Sequence, residues 1–317
     1  MKLRKITAVL AAALLTMTAM TACSGGAASS ASSETPSSES SAASAQSASS
    51  EETTGGDMTG EITVLSREDG SGTRGAFIEL TGVEEKTADG KKVDNTTADA
   101  EIANKTDVVL TSVAGNEKAI GYISLGALND TVKAVKVDGA EATVDNVKAG
   151  AYKLSRPFNI ATKGEPTGVA KDFISFILSK EGQAVVTDNK YIAVNDAAES
   201  FVSDGSSGQI AVGGSSSVSP VMEKLIEAYK SVNPNASIDL QTSDSTSGMT
   251  GAMDGTFAIG MASRELKDEE AAQLTGTAIA LDGIAVIVNP ANTIDELSMD
   301  QIKSIYVGDI TDWGDLA

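Results

Sequence analysis

Histidine is absent from the 317 residues of the chain. Because histidine is the commonest general base and metal ligand, its absence excludes Ser-His-Asp and Cys-His catalytic arrangements. Cysteine occurs once, at Cys23, so the chain cannot form an internal disulfide, and no Cys/His spacing typical of a zinc site is present. The sequence therefore predicts no metal site, and a fold that depends on its apolar core alone.

Basic residues are scarce as well. The chain has 24 Lys and Arg against 44 Asp and Glu, a formal net charge of -20. Such a surface argues against nucleic acid and anionic lipid as partners, since both are polyanions. With 41% hydrophobic residues, the chain can still bury a sizeable core, in one large domain or two smaller lobes.

The first 60 residues differ in composition from the rest. Residues 1–22 join a basic start to a short apolar run, which predicts a lipoprotein signal peptide with Cys23 as the lipidated residue. An ordinary secretory signal with a chance cysteine is the alternative, and both place the protein outside the cytoplasm. Residues 23–60 are rich in Ser, Ala and Glu, with almost no large apolar side chains. This composition predicts a disordered tether.

Three later segments repeat one local plan, in which a short strand, a turn rich in glycine and hydroxyl groups, and a helix follow one another. The turns are SREDGSG (66–72), GGSSSVS (213–219) and TSDSTSG (242–248). A helix N-terminus offers unpaired N–H groups and a partial positive charge, so three such turns would form an anion site if they converge. Ser/Gly turns also cap helices without any such role, and that plainer interpretation stays open for each turn.

Other apolar patterns favour an α/β fold. Predicted strands lie at 62–65, 119–122, 158–161, 209–212, 237–241 and 280–288, and predicted helices at 73–80, 169–178, 220–232, 249–253 and 299–307. Strands that alternate with helices indicate parallel-rich sheets flanked by helices, with ligands bound beyond the strand ends.

Six motifs together resemble those of the phosphate-binding lipoproteins of bacterial high-affinity phosphate ABC transporters, over nearly all of 61–317. They are SREDGSGTRGAF, GGSSSVSPVMEKLIEAY, QTSDSTSG, FAIGMASREL, ALDGIAVIVNP and AIGYISLGAL. The resemblance implies a monomeric binding protein, not an enzyme, that captures inorganic phosphate and delivers it to the permease subunits of the transporter. It also implies a two-lobed periplasmic-binding-protein fold (type II) with two hinge strands, near 154–164 and 280–290.

The order of these motifs is rotated relative to the family, in which the segment resembling 209–317 comes first. We therefore expect a circular permutation, with the family's termini joined through residues 197–208. One lobe would combine 61–157 with 283–317, and the other would span 160–281. A truncated or misassembled gene product is the alternative, which predicts missing core elements.

Carried over by motif, the family's phosphate contacts fall on two groups of residues. They are Arg67, Ser71, Gly72 and Thr73 from one lobe and Ser216, Ser217 and Ser245 from the other. Asp69 is the candidate acceptor for the proton of phosphate, or alternatively a partner that orients Arg67. Ser263 is a possible contact where some family members have a second aspartate.

The sequence leaves the roles of two further arginines open. Arg264 is either a ligand contact or a surface residue, and Arg74 is expected to face solvent or to pair with Glu68.

Three rival functions remain open. The protein could bind another oxyanion or a small organic phosphate, or it could be a sensory or adhesive lipoprotein. An enzyme with Ser71 as nucleophile is the third, although no histidine could activate that hydroxyl.

Overall fold

A computed structural model describes residues 58–316 of the protein. The strands are β1 (Thr63–Arg67), β2 (Glu84–Lys86), β3 (Lys92–Asp94), β4 (Glu101–Ala103), β5 (Ala119–Ser124), β6 (Lys133–Ala134), β7 (Lys136–Val137), β8 (Ser155–Thr162), β9 (Gly208–Ser215), β10 (Ala236–Ser243), β11 (Ile259–Ala262), β12 (Thr275–Val288) and β13 (Glu296–Leu297). The helices are α1 (Gly72–Thr81), α2 (Thr106–Ala114), α3 (Val144–Lys148), α4 (Gly168–Leu178), α5 (Lys180–Asp188), α6 (Ser219–Val232), α7 (Ser245–Asp254), α8 (Asp268–Ala271) and α9 (Met299–Val307).

The predicted signal peptide (1–22), the lipidated Cys23 and the tether up to residue 57 lie outside the described residues. Within residues 58–316, every helix is too short or too polar to span a lipid bilayer.

All three predicted strand-turn-helix units are confirmed, as β1-α1, β9-α6 and β10-α7, and each element is somewhat longer than predicted. A fourth strand-turn-helix unit, β4-α2, has a shorter turn at 104–105, which is Asn-Lys and contains neither glycine nor a hydroxyl group. Helix α9 has the predicted bounds because its ends carry strong signals. Ser298 and Gln301 form a capping box at its start, and Gly308 ends it with φ 85°.

A nine-stranded mixed sheet runs through the molecule in the order β10-β9-β11-β8-β12-β5-β1-β4, with β6 also paired to β12. At one end β9 pairs in parallel with β10 and β11, and at the other β1 pairs in parallel with β4 and β5. Between them β8 and β12 run antiparallel. The predicted α/β class is confirmed. After β1, β4, β9 and β10, the following helix begins just beyond the carboxyl end of the strand.

The apolar core is divided. One large cluster draws on residues 62–154, 192 and 284–313, and includes the stacked rings of Phe77 and Tyr122 at 3.9 Å. A second cluster draws on residues 158–280, and a small third one on residues 161–274. The predicted division into two lobes stays a prediction, and the separation of these cores supports it.

Strand β12 crosses between the two large cores. Its first part, Thr275–Gly283, pairs with β8, and its second part, from Ile284 to Val288, pairs with β5. Strands β8 and β12 overlap the stretches predicted as hinge strands, 154–164 and 280–290, and their role as hinges stays a prediction.

Two helices differ in detail from the simplest interpretation of their sequences. Leu80 follows Phe77 at helical spacing in α1, but Leu80 is 40% exposed, and Ile78 is buried beside Phe77. Ser219 precedes Pro220 where a cap would stand, but it is the first residue of α6, and its hydroxyl donates to the carbonyl of Ser215 at 3.2 Å. The helix therefore begins one residue earlier and closer to the serine-rich turn.

Candidate functional site

Arg67 ends β1 with its side chain only 2% exposed. Its guanidinium makes a forked ion pair with Glu68, in which Nε lies 2.8 Å from Oε2 and Nη2 lies 2.8 Å from Oε1. Nε also donates to the carbonyl of Ala103 at 3.2 Å, and Nη2 donates to the hydroxyl of Ser216 at 3.1 Å. The guanidinium is thus held in one orientation and is connected directly to the turn that follows β9.

The backbone around Arg67 is fixed by Tyr122 on β5. The Tyr122 hydroxyl accepts from the amide of Arg67 at 3.1 Å and lies 2.8 Å from the hydroxyl of Ser66. Burial raises the pKa of Tyr122, so it stays a neutral hydroxyl that can donate and accept. The end of β1 is therefore a rigid support for the arginine.

Seven buried hydroxyl residues lie around this support, and we call them the hydroxyl cluster. They are Thr73, Thr106, Ser215, Ser216, Ser217, Ser245 and Ser263. Each is at most 8% exposed. Ser215 is the last residue of β9, and the other six come from the turns or helix starts that follow β1, β4, β9, β10 and β11, so the cluster draws on both halves of the sheet.

One branch of the cluster joins α1 and α2 to the turn after β9. The hydroxyls of Thr73 and Ser217 are 2.8 Å apart. The hydroxyl of Thr106 lies 3.4 Å from those of both Ser216 and Ser217. Because Ser216 also accepts from Arg67, this branch is continuous with the arginine.

The second branch joins β9, α7 and β11. Ser215 donates to the hydroxyl of Ser263 at 2.9 Å, and the hydroxyls of Ser245 and Ser263 are 3.4 Å apart. The amide of Ser263 donates to Ser245 Oγ at 3.1 Å. The amide of Ser217 donates to Ser215 Oγ at 3.3 Å, which connects the two branches.

Four helices begin at this cluster. Thr106 and Ser245 are the first residues of α2 and α7, Thr73 is the second residue of α1, and Ser217 lies two residues before α6. The N-termini of α1 and α7 approach so closely that a methyl group on Gly72 would overlap the hydroxyl of Ser245. Four partial positive charges and seven hydroxyls therefore face one small region, which is an arrangement suited to an anion.

The structure brings together eight of the nine predicted site residues. They are Arg67, Ser71, Gly72, Thr73, Ser216, Ser217, Ser245 and Ser263. Ser71 lies at the edge, where its hydroxyl caps α1 by accepting from the amide of Arg74 at 3.3 Å.

Asp69 is the exception, and its predicted role as a proton acceptor at the site does not fit the structure. Its side chain is 98% exposed and its carboxylate pairs with Arg74 at 3.1 Å. Arg74 also pairs with Asp94 at 2.8 Å, so it neither faces solvent freely nor pairs with Glu68. The backbone turn sends neighbouring side chains in opposite directions, and Glu68 rather than Asp69 reaches Arg67.

Arg264 is neither a surface residue nor a member of the cluster. It is 9% exposed, and its two terminal nitrogens lie 2.7 and 2.8 Å from the two carboxylate oxygens of Glu270. Burial by itself would raise the pKa of Glu270, but hydrogen bonds from Arg264 and from the amide of Lys267 lower it. This pair ties β11 to α8, behind the candidate site.

The sequence did not single out Thr106, Ser215 or Glu68. Thr106 begins α2 after the turn 104–105, which is Asn-Lys and lacks the glycine and hydroxyl groups of the other turns, so that pattern could not have found it. Ser215 lies inside the quoted GGSSSVS turn, next to the two serines that were chosen. Among residues 58–316, no group of three or more Cys, Asp or Glu could hold a metal ion.

Comparison with known proteins gives a consistent result. The PBP superfamily domain matches residues 20–181 and 200–317. Phosphate-binding protein PstS 2 of Streptococcus agalactiae is 53% identical over 260 residues, which cover 81% of this chain and 88% of that protein. The crystal structure of a phosphate-binding protein of a phosphate ABC transporter from Streptococcus pneumoniae is 50% identical, covers 81% of this chain and 100% of its own, and has a TM-score of 0.66.

A more distant relative matches over a shorter stretch. Phosphate-binding protein PstS of Bacillus subtilis is 33% identical over 138 residues, which cover 43% of each protein. The family profile and the streptococcal relatives each extend over most of the chain. The chain therefore belongs to the PBP superfamily and, within it, to the family of bacterial phosphate-binding proteins.

Proposed function

We propose that this protein binds inorganic phosphate at the hydroxyl cluster and delivers it to the permease of an ABC transporter. The observation that carries the proposal is the convergence of four helix N-termini and seven buried hydroxyls beside Arg67. The names of the streptococcal relatives support phosphate as the ligand. We infer binding rather than catalysis, because the clustered hydroxyls contact one another and none of them bonds to a carboxylate of residues 58–316 that could act as its general base.

Hydrogen bonding can supply the required affinity in a strongly acidic protein. Micromolar binding needs about 8 kcal/mol, and a hydrogen bond to a charged group contributes about 1.5 to 3 kcal/mol. Several donors are therefore enough. Exterior carboxylates more than about 8 Å away are largely screened at physiological ionic strength. The electrostatic field inside the site therefore determines whether an anion binds there.

The charge of Arg67 is already compensated by Glu68. The arginine therefore does not present a full positive charge to the ligand. We infer that backbone dipoles and hydroxyl donors supply most of the attraction, and that the ion pair chiefly holds the guanidinium in place.

The cellular setting of the proposal comes from the sequence and the relatives. We propose an extracytoplasmic monomer that is anchored to the cell membrane through a lipid on Cys23. The basic and apolar residues 1–22 support export, and the Ser/Ala/Glu-rich residues 23–60 would give the anchored domain its reach.

We infer that the chain is a circular permutation of the more common family order. The streptococcal relatives align along most of both chains in one stretch, so they share the order seen here, which argues against a misassembled product. The Bacillus relative aligns over less than half of each chain. A single alignment would stop there if the two halves occur in opposite order.

The backbone around the proposed junction supports this inference. The amide of Ile62 donates to the carbonyl of Thr311 at 2.8 Å, and the amide of Trp313 donates to the carbonyl of Gly60 at 3.0 Å. The amide of Gly60 also donates to the carboxylate of Asp312 at 2.8 Å. Residues 60–62 and 311–313 therefore lie side by side, as the ends of an opened chain would.

Asp172 on α4 forms hydrogen bonds to the segment proposed to join the family's termini, residues 197–208. The Asp172 carboxylate accepts from Ser203 Oγ at 2.8 Å and from the amide of Asp204 at 2.9 Å. It also accepts from the hydroxyl of Tyr229 at 2.7 Å. This joining segment is thus packed against α4 and α6.

Calorimetric titration of the full-length chain with phosphate tests the function. We expect binding, weakened by Ser216→Ala and by Thr106→Val because each removes a hydroxyl of the cluster. Ser247→Ala is the matched control, since Ser247 lies in α7 but contacts Asp244 outside the cluster. An absence of phosphate binding, or an equal loss in all three variants, would contradict the proposal.

A reordered chain tests the permutation. It would begin at Gly208, run to Leu316, continue directly into Glu61 and end at Asp196. We expect it to fold and to bind phosphate with unchanged affinity, since residues 60–62 and 311–313 are already adjacent. Failure of the reordered chain to fold, while the original order binds phosphate, would contradict the inference.

A further inference from the structure

Gly70 and Thr246 join two parts of the chain that meet beside the hydroxyl cluster. Gly70 lies in the turn after β1 and Thr246 is the second residue of α7, so the two belong to different predicted lobes. The carbonyl of Gly70 accepts from the amide of Thr246 at 3.2 Å and from its hydroxyl at 3.3 Å. Two donors of one residue thus share one acceptor across the boundary between the predicted lobes.

The amide of Thr246 is free to make this contact because of its place in the helix. The first amides of an α-helix have no acceptor within the helix. The next amide, that of Ser247, donates to the carboxylate of Asp244 at 2.9 Å, which caps α7 from within the same predicted lobe. Two neighbouring amides therefore report on different contacts, one between the predicted lobes and one within a single lobe.

The close approach of the turn depends on the absence of a side chain at Gly70. A methyl group there would overlap the carboxylate of Asp244. That carboxylate accepts from both the amide and the hydroxyl of Ser247, so moving it away would break the cap of α7. Glycine at position 70 thus lets the backbone of the turn reach α7 directly.

Arg264 orients the hydroxyl of Thr246. Its Nη2 donates to Thr246 Oγ1 at 3.3 Å, which leaves the hydroxyl proton for the carbonyl of Gly70. The guanidinium is itself fixed by both carboxylate oxygens of Glu270, at 2.7 and 2.8 Å, and by the carbonyl of Glu265 at 2.9 Å. The arginine whose role the sequence left open is therefore a positioning residue for the contact between Thr246 and Gly70.

These contacts lie outside the groups proposed to bind phosphate. Contacts within the hydroxyl cluster, such as that of Arg67 with Ser216, use side chains that would also contact the ligand. A carbonyl oxygen such as that of Gly70 only accepts hydrogen bonds, so an anion does not compete for it. A cavity of about 630 Å³ lies next to Arg264, between α1 and residues 264–269, so the two sides are not packed together there.

We propose that the contact of Thr246 with Gly70 is a latch that holds the phosphate site closed, with Arg264 positioning the Thr246 hydroxyl. The proposal rests on the proposed function and deepens it by naming what slows the release of the ligand. In a site that closes around its ligand, the ligand enters before the two sides meet, so the latch acts after capture. Such a contact changes the dissociation rate more than the association rate.

Thr246→Val and Thr246→Ser are a matched pair, because only the first removes the hydroxyl. In the full-length chain, calorimetry gives the phosphate affinity, and phosphorus NMR exchange between free and bound phosphate gives the dissociation rate. We expect phosphate to dissociate about two- to tenfold faster from Thr246→Val, the range for one lost hydrogen bond, with little change in the association rate. An unchanged dissociation rate, or equal acceleration in Thr246→Ser, would overturn the inference.

A double substitution tests the positioning role of Arg264. We expect Arg264→Gln to speed dissociation as well. Because the arginine acts through the hydroxyl of Thr246, Arg264→Gln combined with Thr246→Val should match the faster of the two single variants. Effects that multiply in the double variant would show that the two residues act independently, and would overturn the positioning role.

Hydrogen exchange at two neighbouring amides tests the latch directly. In the phosphate-loaded chain, Arg264→Gln should speed exchange of the Thr246 amide by at least about twofold relative to the Ser247 amide, since only the first bonds to Gly70. An equal change at both amides would overturn the inference while leaving the proposed function intact. If calorimetry finds no phosphate binding to the unsubstituted chain, the proposed function is wrong, and the same exchange measurement on the unloaded chain decides the latch.

Discussion

The two arginines Arg67 and Arg156 are equally buried, each with a side chain 2% exposed, but their surroundings differ sharply. Arg67 has a forked ion pair with Glu68 and two further acceptors. The guanidinium of Arg156, on β8, makes one hydrogen bond, to Asp282 at 3.2 Å, and its Nε and Nη1 are buried without a hydrogen-bond partner among residues 58–316. The first arginine is positioned by its contacts, whereas the second is left partly unsatisfied.

The electrostatics of the second pair reflect this. Burial raises the pKa of Asp282 to about 6, even though Arg156 and the hydroxyl of Ser124 act to lower it. Burial also lowers the pKa of Arg156. Burying the charges of Asp282 and Arg156 therefore costs folding free energy. The pair lies where β12 crosses between the two large cores. The fully hydrogen-bonded arginine lies at the proposed binding site, and the partly unsatisfied one lies at the crossing of β12.

Removing one partner from each pair should give the largest contrast. We expect Asp282→Ala to lower the free energy of unfolding by about 3 to 5 kcal/mol, because it leaves Arg156 buried without a counter-charge. Glu68→Ala should cost less, since the side chain of Glu68 is 21% exposed and water can replace it. Urea unfolding at neutral pH measures the free energy of unfolding of both variants and of the unsubstituted chain.

A double substitution controls for the packing. Arg156→Leu combined with Asp282→Leu replaces the pair with apolar side chains, and such replacements are often neutral or stabilising. A double variant as unstable as Asp282→Ala would show that the pair, despite its unpaired nitrogens, stabilises the crossing, and would contradict the comparison.

The pH dependence of unfolding separates the crossing from the rest of the molecule. The pKa of Asp282 is raised from an ordinary 3.8 to about 6, so between these values the folded chain holds a proton that the unfolded chain has lost. Its contribution therefore makes stability fall as pH rises from about 4 to about 6, with no further change above that range.

Asp282→Asn removes this contribution and is the matched comparison. Carboxylates whose pKa is lowered, such as Asp172 and Glu270, act in the opposite direction but are present in both proteins. The unfolding free energy of the original chain minus that of the variant should therefore decline through this window. A constant or rising difference would show that Asp282 is not the group that titrates.

The comparison of the two arginines also shows what the sequence could predict. Motifs and caps local in sequence were sufficient for α9 and for the three strand-turn-helix units, whereas the convergence of their turns could only be stated as a condition. The pairing of Arg156 with Asp282 depends on the register between β8 and β12, which no local pattern reveals. The choice between Glu68 and Asp69 depends on the direction in which a turn sends each side chain, and the motif SREDGSG contains both carboxylates equally.

Close packing at the site gives the next prediction. A methyl group on Gly72 would overlap Ser245 Oγ and lie 2.8 Å from Ser263 Oγ, so Gly72→Ala should force α1 and α7 apart. We expect phosphate affinity to fall by at least about fivefold, since overpacking costs about 1 to 3 kcal/mol and tenfold corresponds to about 1.4 kcal/mol. Gly75→Ala is the control, because its nearest neighbour would be Arg264 Cδ at 3.8 Å. Equal affinities for the two variants would contradict the close approach of the helices.

The smallest effect is expected at the exposed carboxylate. Asp69 and Glu68 are neighbours, yet Asp69 is 98% exposed and pairs only with Arg74, whereas Glu68 holds Arg67. Asp69→Asn should change phosphate affinity by less than about twofold, because exposed ion pairs contribute little. Glu68→Gln should change it more, since the neutral amide no longer compensates the guanidinium and donates from one of the two positions that accept. If calorimetry instead finds the larger loss of phosphate affinity for Asp69→Asn, the turn must present Asp69 to the ligand. The contrast between Glu68, which positions Arg67, and Asp69, which faces solvent, would then be wrong.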